Sequence, residues 1–544
     1  MARVGGTLKR LIAAACATFI LVVGAALPVS ADNGDAYSIP STTLDDKAAT
    51  RFFIAEDNAT QFYSEHIARG TNSAGETGDW WCSDYSTGDC NPFKANGKYL
   101  VTGFNVLPAC QSTGQNDCVA GLSIVTPDGV PHPANFVRQI DGLKFAADLA
   151  HGLTEGSTVS LWDAPGAPDA GGNTTYAVNT RIKFTFNETL GRYVTESMVA
   201  TVAPYRLVTG NQYMALNAYS IPAGKDLHGR AGTGIDGVAH DCIWNEQGKC
   251  GVLQEFAAGD RAKLSLHISN QIGGWFKGRM ALPTISVQKL SDTNNAIEVE
   301  ADPVSVPRME AIVTKESAPA NVVDLYQHSG LYGALWSGES AFTTSEGEEA
   351  FKYLDAFRSA AKDTAVGTTS MWSFATVQGT SQIDCLADKS RVLGFVSTNS
   401  MVYDGGIPTF ENGSLNYRVA GMHYLPGGTE PVQGSYDLVM RSDAARCLYH
   451  FTSAPLQASV SVFTEGGSEK VAVSTMNEHD GWLMLSSKGF TFSNPTIRVK
   501  LSQASTATNP APVSKPSTKT ITCVKGKTKK TVSAGVCPKG YKKD

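Results

Sequence analysis

One stretch of this sequence occurs twice, at residues 250–290 and 447–501, and its pattern dictates sheet. Each copy opens with a cysteine and a phenylalanine, Cys250 with Phe256 and Cys447 with Phe451. An alternating apolar run follows, Ala262, Leu264, Leu266 and Ile268 in the first copy and Ala458, Val460 and Val462 in the second. Next come Gly274-Trp275-Phe276 and Gly481-Trp482-Leu483, and both copies close on a Pro-Thr-Ile-x-Val run, from Pro283 and from Pro495. Alternation with period two puts one set of side chains on one face of a strand, so both copies read as half-buried antiparallel sheet. An upstream element repeats as well, Tyr99 to Pro108 paralleling Tyr417 to Pro426. Matched elements in one order predict two β domains of related design, an internal duplication.

Short apolar runs separated by Gly-Gly and Pro-rich turns continue through most of the chain. Around the second copy, eight such runs fall between residues 368 and 501, the spacing of a β-sandwich or jelly roll. The first β domain is expected at 95–309, after an N-terminal segment at 32–94 that holds a disulfide loop. Within 45–69 the periodicity is mixed: Phe52, Phe53 and Ile54 suit a strand, and residues 60–68 suit a short helix. A connector at 310–367 carries the clearest helix, about 346–362. There Ser345 and Glu348 fit a capping box, and Phe351, Leu354, Phe357 and Ala361 line one face. That stripe is read as core packing. The expected fold is therefore mainly β: two sandwich or jelly-roll-like domains, one connecting amphipathic helix and a small disulfide-closed C-terminal tail.

Residues 1–31 have the form of a secretion signal, with Arg3, Lys9 and Arg10 before an apolar stretch and Val29-Ser30-Ala31 as the cleavage site. No later apolar run approaches a membrane span, so the mature chain is expected outside the membrane, secreted, extracellular or wall-associated. Setting aside Cys16, ten cysteines remain, an even number on an exported chain, which predicts disulfides. Spacing favours Cys82 with Cys90, Cys110 with Cys118 and Cys242 with Cys250, each closing a short polar loop. Cys523 with Cys537 pair by isolation in the tail, and Cys385 with Cys447 remain to tie the second β domain. No Cys-x-x-Cys is present, so no metal site is expected.

Charge is segregated. The formal net charge is −6, residues 1–31 carry +3 and residues from 502 onward carry +8, which leaves −17 on the body. A Ser/Thr/Pro-rich linker at 502–520 precedes the tail at 521–544. Its lysines, Lys525, Lys527, Lys529, Lys530, Lys539, Lys542 and Lys543, are the candidate contacts for polyanions. Too small to bury a core alone, the tail is expected as a disulfide hairpin.

At this tail the sequence resembles uncharacterised secreted or wall-associated proteins of actinobacteria. The likeness rests on Ile521-Thr-Cys523-Val-Lys525 with Cys537-Pro-Lys539-Gly-Tyr541, and on Arg446-Cys447-Leu448-Tyr449, Asp480-Gly481-Trp482-Leu483 and the Phe490 to Ile497 run. It covers roughly the final quarter of the chain. The resemblance implies an exported address and a terminal β domain, and brings no catalytic residues. The sequence lacks a Leu-Pro-x-Thr-Gly-like sorting signal.

Trp80 and Trp81, beside Cys82, are the most ligand-like pair, because indole faces stack on sugar rings and a closed loop loses little entropy on binding. Against this, neighbours on an extended segment point opposite ways, one into the core and one over the loop, and that reading is favoured. His-Glu-x-x-His, a Gly-x-Ser-x-Gly elbow and an EF-hand loop are all absent. The glycine-rich segment 226–237 lacks the strand and helix of a phosphate loop. His240-Asp241 and Glu478-His479-Asp480 are read as solvated turns before strands. No catalytic residue, metal or cofactor is assigned, and no nucleic-acid partner is expected. The sequence favours a non-enzymatic surface protein with a structural, adhesive or ligand-binding role toward cell-envelope polyanions or glycans. The alternative is a secreted polysaccharide-active hydrolase or a carbohydrate-binding protein, since paired carboxylates meet in space and not in sequence.

Overall fold

The computed structural model describes residues 49–55, 64–71, 74–82, 84, 90–92, 98–142, 144–208, 244–246, 249–269, 271–329, 340–452, 456–463, 469–471, 473–492, 496–503, 520–533 and 535–544. The expected signal segment, the linker core, Cys242 and the 226–237 and His240-Asp241 segments lie outside the described residues. The described residues are mainly β, with four short helices among them. Alternation works as expected: in the strand Arg261–Ser269, every second residue from Ala262 to Ile268 is buried.

One long sheet of 15 strands organises the molecule. Its main path runs Val473–His479, Trp482–Phe490, Gly434–Arg441, Val392–Thr398, Gly274–Arg279, Ser373–Thr376, Arg192–Val208, Thr175–Asn187, Lys98–Val106, Glu65–Thr71 and Thr77–Cys82. Gly274–Arg279 pairs in parallel with Val392–Thr398 and antiparallel with Ser373–Thr376. Strands from either side of the expected 310–367 connector thus interleave, and hydrogen bonding runs unbroken between the two expected domains. Residues 65–71, partly read as helix, form a strand with Ala68 buried. Arg192–Val208 is one strand of 17 residues. Pro204 is tolerated there because it sits where this strand leaves Ser373–Thr376 and takes up Lys249–Leu253, with its carbonyl accepting the Gln254 amide.

The two sandwich cores lie on opposite faces of this one sheet. Over one face stacks a five-stranded sheet, Ala281–Lys289, Asn294–Asp302, Arg261–Ser269, Cys118–Val125 and Pro131–Pro133. Leu264, Ile285 and Val299 from it meet Phe276, Phe374, Phe395, Val439 and Trp482 from the long sheet. Over the other face lies a six-stranded sheet that includes Ser414–Ala420, Leu456–Phe463 and Thr496–Gln503. Its Tyr417, Val460 and Val499 meet Trp275, Leu438, Met440 and Leu483. Large apolar residues fill both layers, which is what sheet-on-sheet packing requires.

The two sequence copies occupy different places in this stack. Arg261–Ser269 is separated from Ala281–Lys289 by Asn294–Asp302, whereas Leu456–Phe463 pairs directly with Thr496–Gln503. Trp275 points to one core and Trp482 to the other. Trp275 lies against Gly394, where any Cβ would stand 2.3 Å from the indole, so only glycine admits the ring. The cysteine that opens the second copy belongs to a helix.

The helices are α1 (Ala320–Ser329), α2 (Gly347–Arg358), α3 (Asp384–Ala387) and α4 (Ser442–Tyr449). On α2, Phe351, Leu354 and Phe357 are buried as expected, and Phe52 stacks on Phe357 with centroids 4.0 Å apart. The expected capping box is not formed. Glu346 is the residue before the helix, and no side chain caps it. Its carboxylate is instead taken by Lys277 and by the Tyr403 hydroxyl, which donates at 2.6 Å. A disulfide joins α3 to α4 through Cys385 and Cys447.

Candidate functional site

A cleft of about 310 Å³ opens where the five-stranded sheet overlies the end of the long sheet. Leu282, Pro283 and Thr284 form one wall; Met476, Met484 and Leu485 face them. Two methionines give a soft, adaptable apolar surface. Asp437 lines the same cleft and is 1% exposed.

Strand register explains why a carboxyl group sits there. In Gly434–Arg441, Tyr436, Leu438 and Met440 fill one core, which turns Asp437 and Val439 to the other face. Directly across the sheet, Asp437 is flanked by Ser397 and Ser486, and Ser486 by Thr475. A polar row therefore crosses four strands beneath an otherwise apolar interface.

Asp437 Oδ2 accepts the Leu282 amide at 3.1 Å. Leu282 holds φ at +51°, a left-handed conformation unusual for leucine. Oδ1 is buried without a hydrogen-bond partner of sound geometry, as are the hydroxyls of Ser397 and Ser486. Burial pushes the Asp437 carboxyl up to about 6; nearby Ser486, the Leu282 amide and Lys488 draw it part of the way back, and Asp302 adds to the rise. The cation of the cleft is Arg261, and the protein already uses it. Nε meets Glu300 at 3.1 Å, Nη1 meets Asp302 and Nη2 donates to the Leu282 carbonyl at 3.3 Å.

A second buried acid has a similar character. Asp260 is 2% exposed, its Oδ2 lacks a partner, and burial raises it to about 6 while His132 lowers it. No described cavity opens onto it.

The residues singled out from sequence are placed as follows. Trp80 lies in the edge strand Thr77–Cys82, opposite Ala68, and packs partly buried against Val101, Leu153, Phe184 and Tyr193. Trp81 pairs through its backbone with Ile67, and its side chain lies outside the described residues. Neither belongs to the cleft. Disulfides join Cys82 to Cys90, Cys110 to Cys118, Cys385 to Cys447 and Cys523 to Cys537. The expected Cys242–Cys250 pair falls outside the described residues. His267 Nδ1 is 3.9 Å from Cys110 Sγ, but both sulfurs of that cluster are committed to the disulfide.

The tail is a three-stranded sheet, Ile521–Lys525, Thr528–Val532 and Lys542–Lys543, closed by its disulfide around a fully buried Cys523. Lys525, Lys527, Lys529, Lys530, Lys539, Lys542 and Lys543 are all exposed. Lys529 pairs with Asp544 at 2.7 Å, and Lys525 lies 6.0 Å from the Tyr541 ring. Register puts Lys529 and Lys542 beside Val524, and Lys530 and Lys543 beside Cys523, so both faces carry charge. Glu478 forms a two-pronged pair with Arg446 at 2.6 and 3.0 Å, while exposed His479 and Asp480 belong to a tight hairpin.

Sequence reading missed Asp437. The available signal was an aspartate at the fourth position of the strand Gly434–Arg441, flanked by Tyr436 and Leu438. Compared with known proteins, the chain matches no family model, no curated protein and no solved structure.

Proposed function

We propose that this chain is an exported, non-enzymatic surface protein whose basic tail holds it to cell-envelope polyanions. The observation that carries this reading is the display of seven exposed lysines on a disulfide-closed tail, attached to a body of charge −17. A small rigid sheet with cations on both faces engages a polyanion mesh from either side, and the acidic body is held off by its own charge. The described residues contain no helix long and apolar enough to cross a membrane, which fits attachment by charge. Glycan hydrolysis calls for two carboxyl groups across a groove, and the cleft lining contributes one, Asp437.

The test is binding of the full-length mature protein to isolated cell walls and to teichoic-type polyanions at rising ionic strength. Retention at low salt and release at high salt are expected, because exposed charges are screened within about 10 Å at 0.1 M. Deletion of residues 521–544 should abolish retention. Salt-resistant retention that survives the deletion would overturn the reading.

A further inference from the structure

We propose that the cleft beside Asp437 is a binding site for a small organic cation, an apolar body carrying a primary ammonium. The inference is independent of the tail and of wall attachment.

Three observations converge. First, the cleft has a ligand's dimensions. A cavity of roughly 150 Å³ suffices for a benzene ring, and this one measures about 310 Å³ with mostly apolar walls. Second, the buried charged group on that lining without a complete set of partners is an acceptor, and it shares that state with the Ser486 hydroxyl across the sheet from it. Asp437 Oδ2 takes the Leu282 amide, and Oδ1 has no hydrogen bond of sound geometry, with the Ser486 hydroxyl as its nearby side-chain donor. Third, the charge of the guanidinium that lines the same cleft is already more than balanced, by Glu300 and Asp302. Three of its five N–H donors are already engaged, by Glu300, Asp302 and the Leu282 carbonyl.

Charge completes the specificity. Arg261 is paired with Glu300 and Asp302, and Asp437 lines the same cleft, so one cation is set against three acids. Lys488 contributes a distant positive field. A carboxylate or phosphate ligand would enter a shell whose net charge is negative. An ammonium would supply Oδ1 with a hydrogen bond of sound geometry and Asp437 with the charge it needs, while its body rests on Met476, Met484 and Leu282. Thr475 and Asn477, exposed at the mouth, remain available to hydrogen-bond the entering group.

The charged groups that act on Asp437 are Lys488 from its neighbour strand and Asp302 from the overlying sheet, while Arg261 of the same cleft is paired with Glu300 and Asp302. An ammonium binds the ionised carboxyl, so affinity should rise with pH as Asp437 loses its proton.

The experiment is ligand titration of the full-length protein, followed by NMR of fluorinated benzylamine, with fluorinated benzyl alcohol and benzoate as comparators. Saturable binding of benzylamine is expected, stronger at pH 7.5 than at pH 5, with benzoate weakest. Asp437→Asn keeps the shape and the acceptor for Leu282, and should weaken benzylamine by about tenfold or more while leaving benzyl alcohol unchanged. Met484→Trp, which fills the cleft, should remove both. Absence of saturable benzylamine binding, equal binding by Asp437→Asn, or tighter binding of benzoate would each overturn the proposal.

Discussion

The two faces of the long sheet each bury a carboxyl group, and they treat it differently. On the face toward α2, Glu346 is closed in by Lys277 and by the Tyr403 hydroxyl. Arg279, fully buried beside it, spends its donors on the carbonyls of Thr398, Ser400 and Met401 and lies 4.1 Å over the Tyr403 ring. On the opposite face Asp437 has one backbone donor and an open cleft. Burial of a charge is costly in both places, and compensation decides the outcome. Where an opposite charge completes the set, the pair clasps a helix to a sheet. Where it does not, the protein carries a standing demand for a partner.

The largest expected effect breaks the compensated side. Glu346→Gln leaves the Lys277 ammonium buried with a neutral neighbour, and stability should fall by about 3–5 kcal/mol in urea denaturation. Adding Lys277→Met to that variant should recover most of the loss, because the unpaired buried ammonium is gone and the amide at position 346 can still accept from the Tyr403 hydroxyl. A single-variant cost within about 0.5 kcal/mol, the range of ordinary surface changes, would show that the pair clasps nothing.

The uncompensated side should respond with the opposite sign. Asp437 has a folded pKa of about 6, raised from 3.8. The folded state therefore holds its proton over a range where the unfolded state has released it, and stability falls as pH rises from about 4 to about 6. Above that window the penalty is complete, roughly 3 kcal/mol for a two-unit shift. Asp437→Asn should stabilise the protein by about that amount at pH 7.5 and by almost nothing below pH 4. Equal stability of the two proteins across this range would mean that the carboxyl is already satisfied.

A smaller effect separates the hydroxyl from the ion pair on the compensated side. Tyr403→Phe keeps the ring under Arg279 and removes only the donor to Glu346. The expected loss is about 1 kcal/mol, readable as a shift in the urea midpoint without a change in slope.

This contrast was only half legible in the sequence. The alternating runs made both cores visible: Leu264 and Val299 on one face and Val460 and Val499 on the other follow from period two alone. Stacking was not visible, because nothing local says that Gly274–Arg279 will pair in parallel with a strand more than a hundred residues later. Two sandwiches sharing a sheet and two separate sandwiches have the same one-dimensional pattern. The helix stripe on α2 was legible, but its cap was not. Glu346 satisfied a distant lysine instead of its own helix, and long-range charge outweighs a cap worth about 1 kcal/mol. Asp437 was hidden for a related reason. An aspartate within an apolar strand looks like a solvent-facing residue until both faces are known to be covered. The lysines of the tail needed no fold to be found, since a short charged segment has nowhere to hide them.

The smallest effect probes how the open side is solvated. Ser486 stands directly across the sheet from Asp437, and its hydroxyl draws the carboxyl pKa down. Ser486→Ala can act in two ways. Losing the dipole leaves the carboxylate less well solvated and moves the pKa further up. Admitting a water from the cleft would restore a donor and move it down. The vacated volume is about one oxygen, less than a water needs, so the upward shift should win. Carboxyl carbon NMR of Asp437 across pH 4 to 8 measures the direction, and the amine affinity profile should move to higher pH with it. A downward shift would show that water already reaches Asp437 through the cleft, and that the demand for a partner is met by solvent.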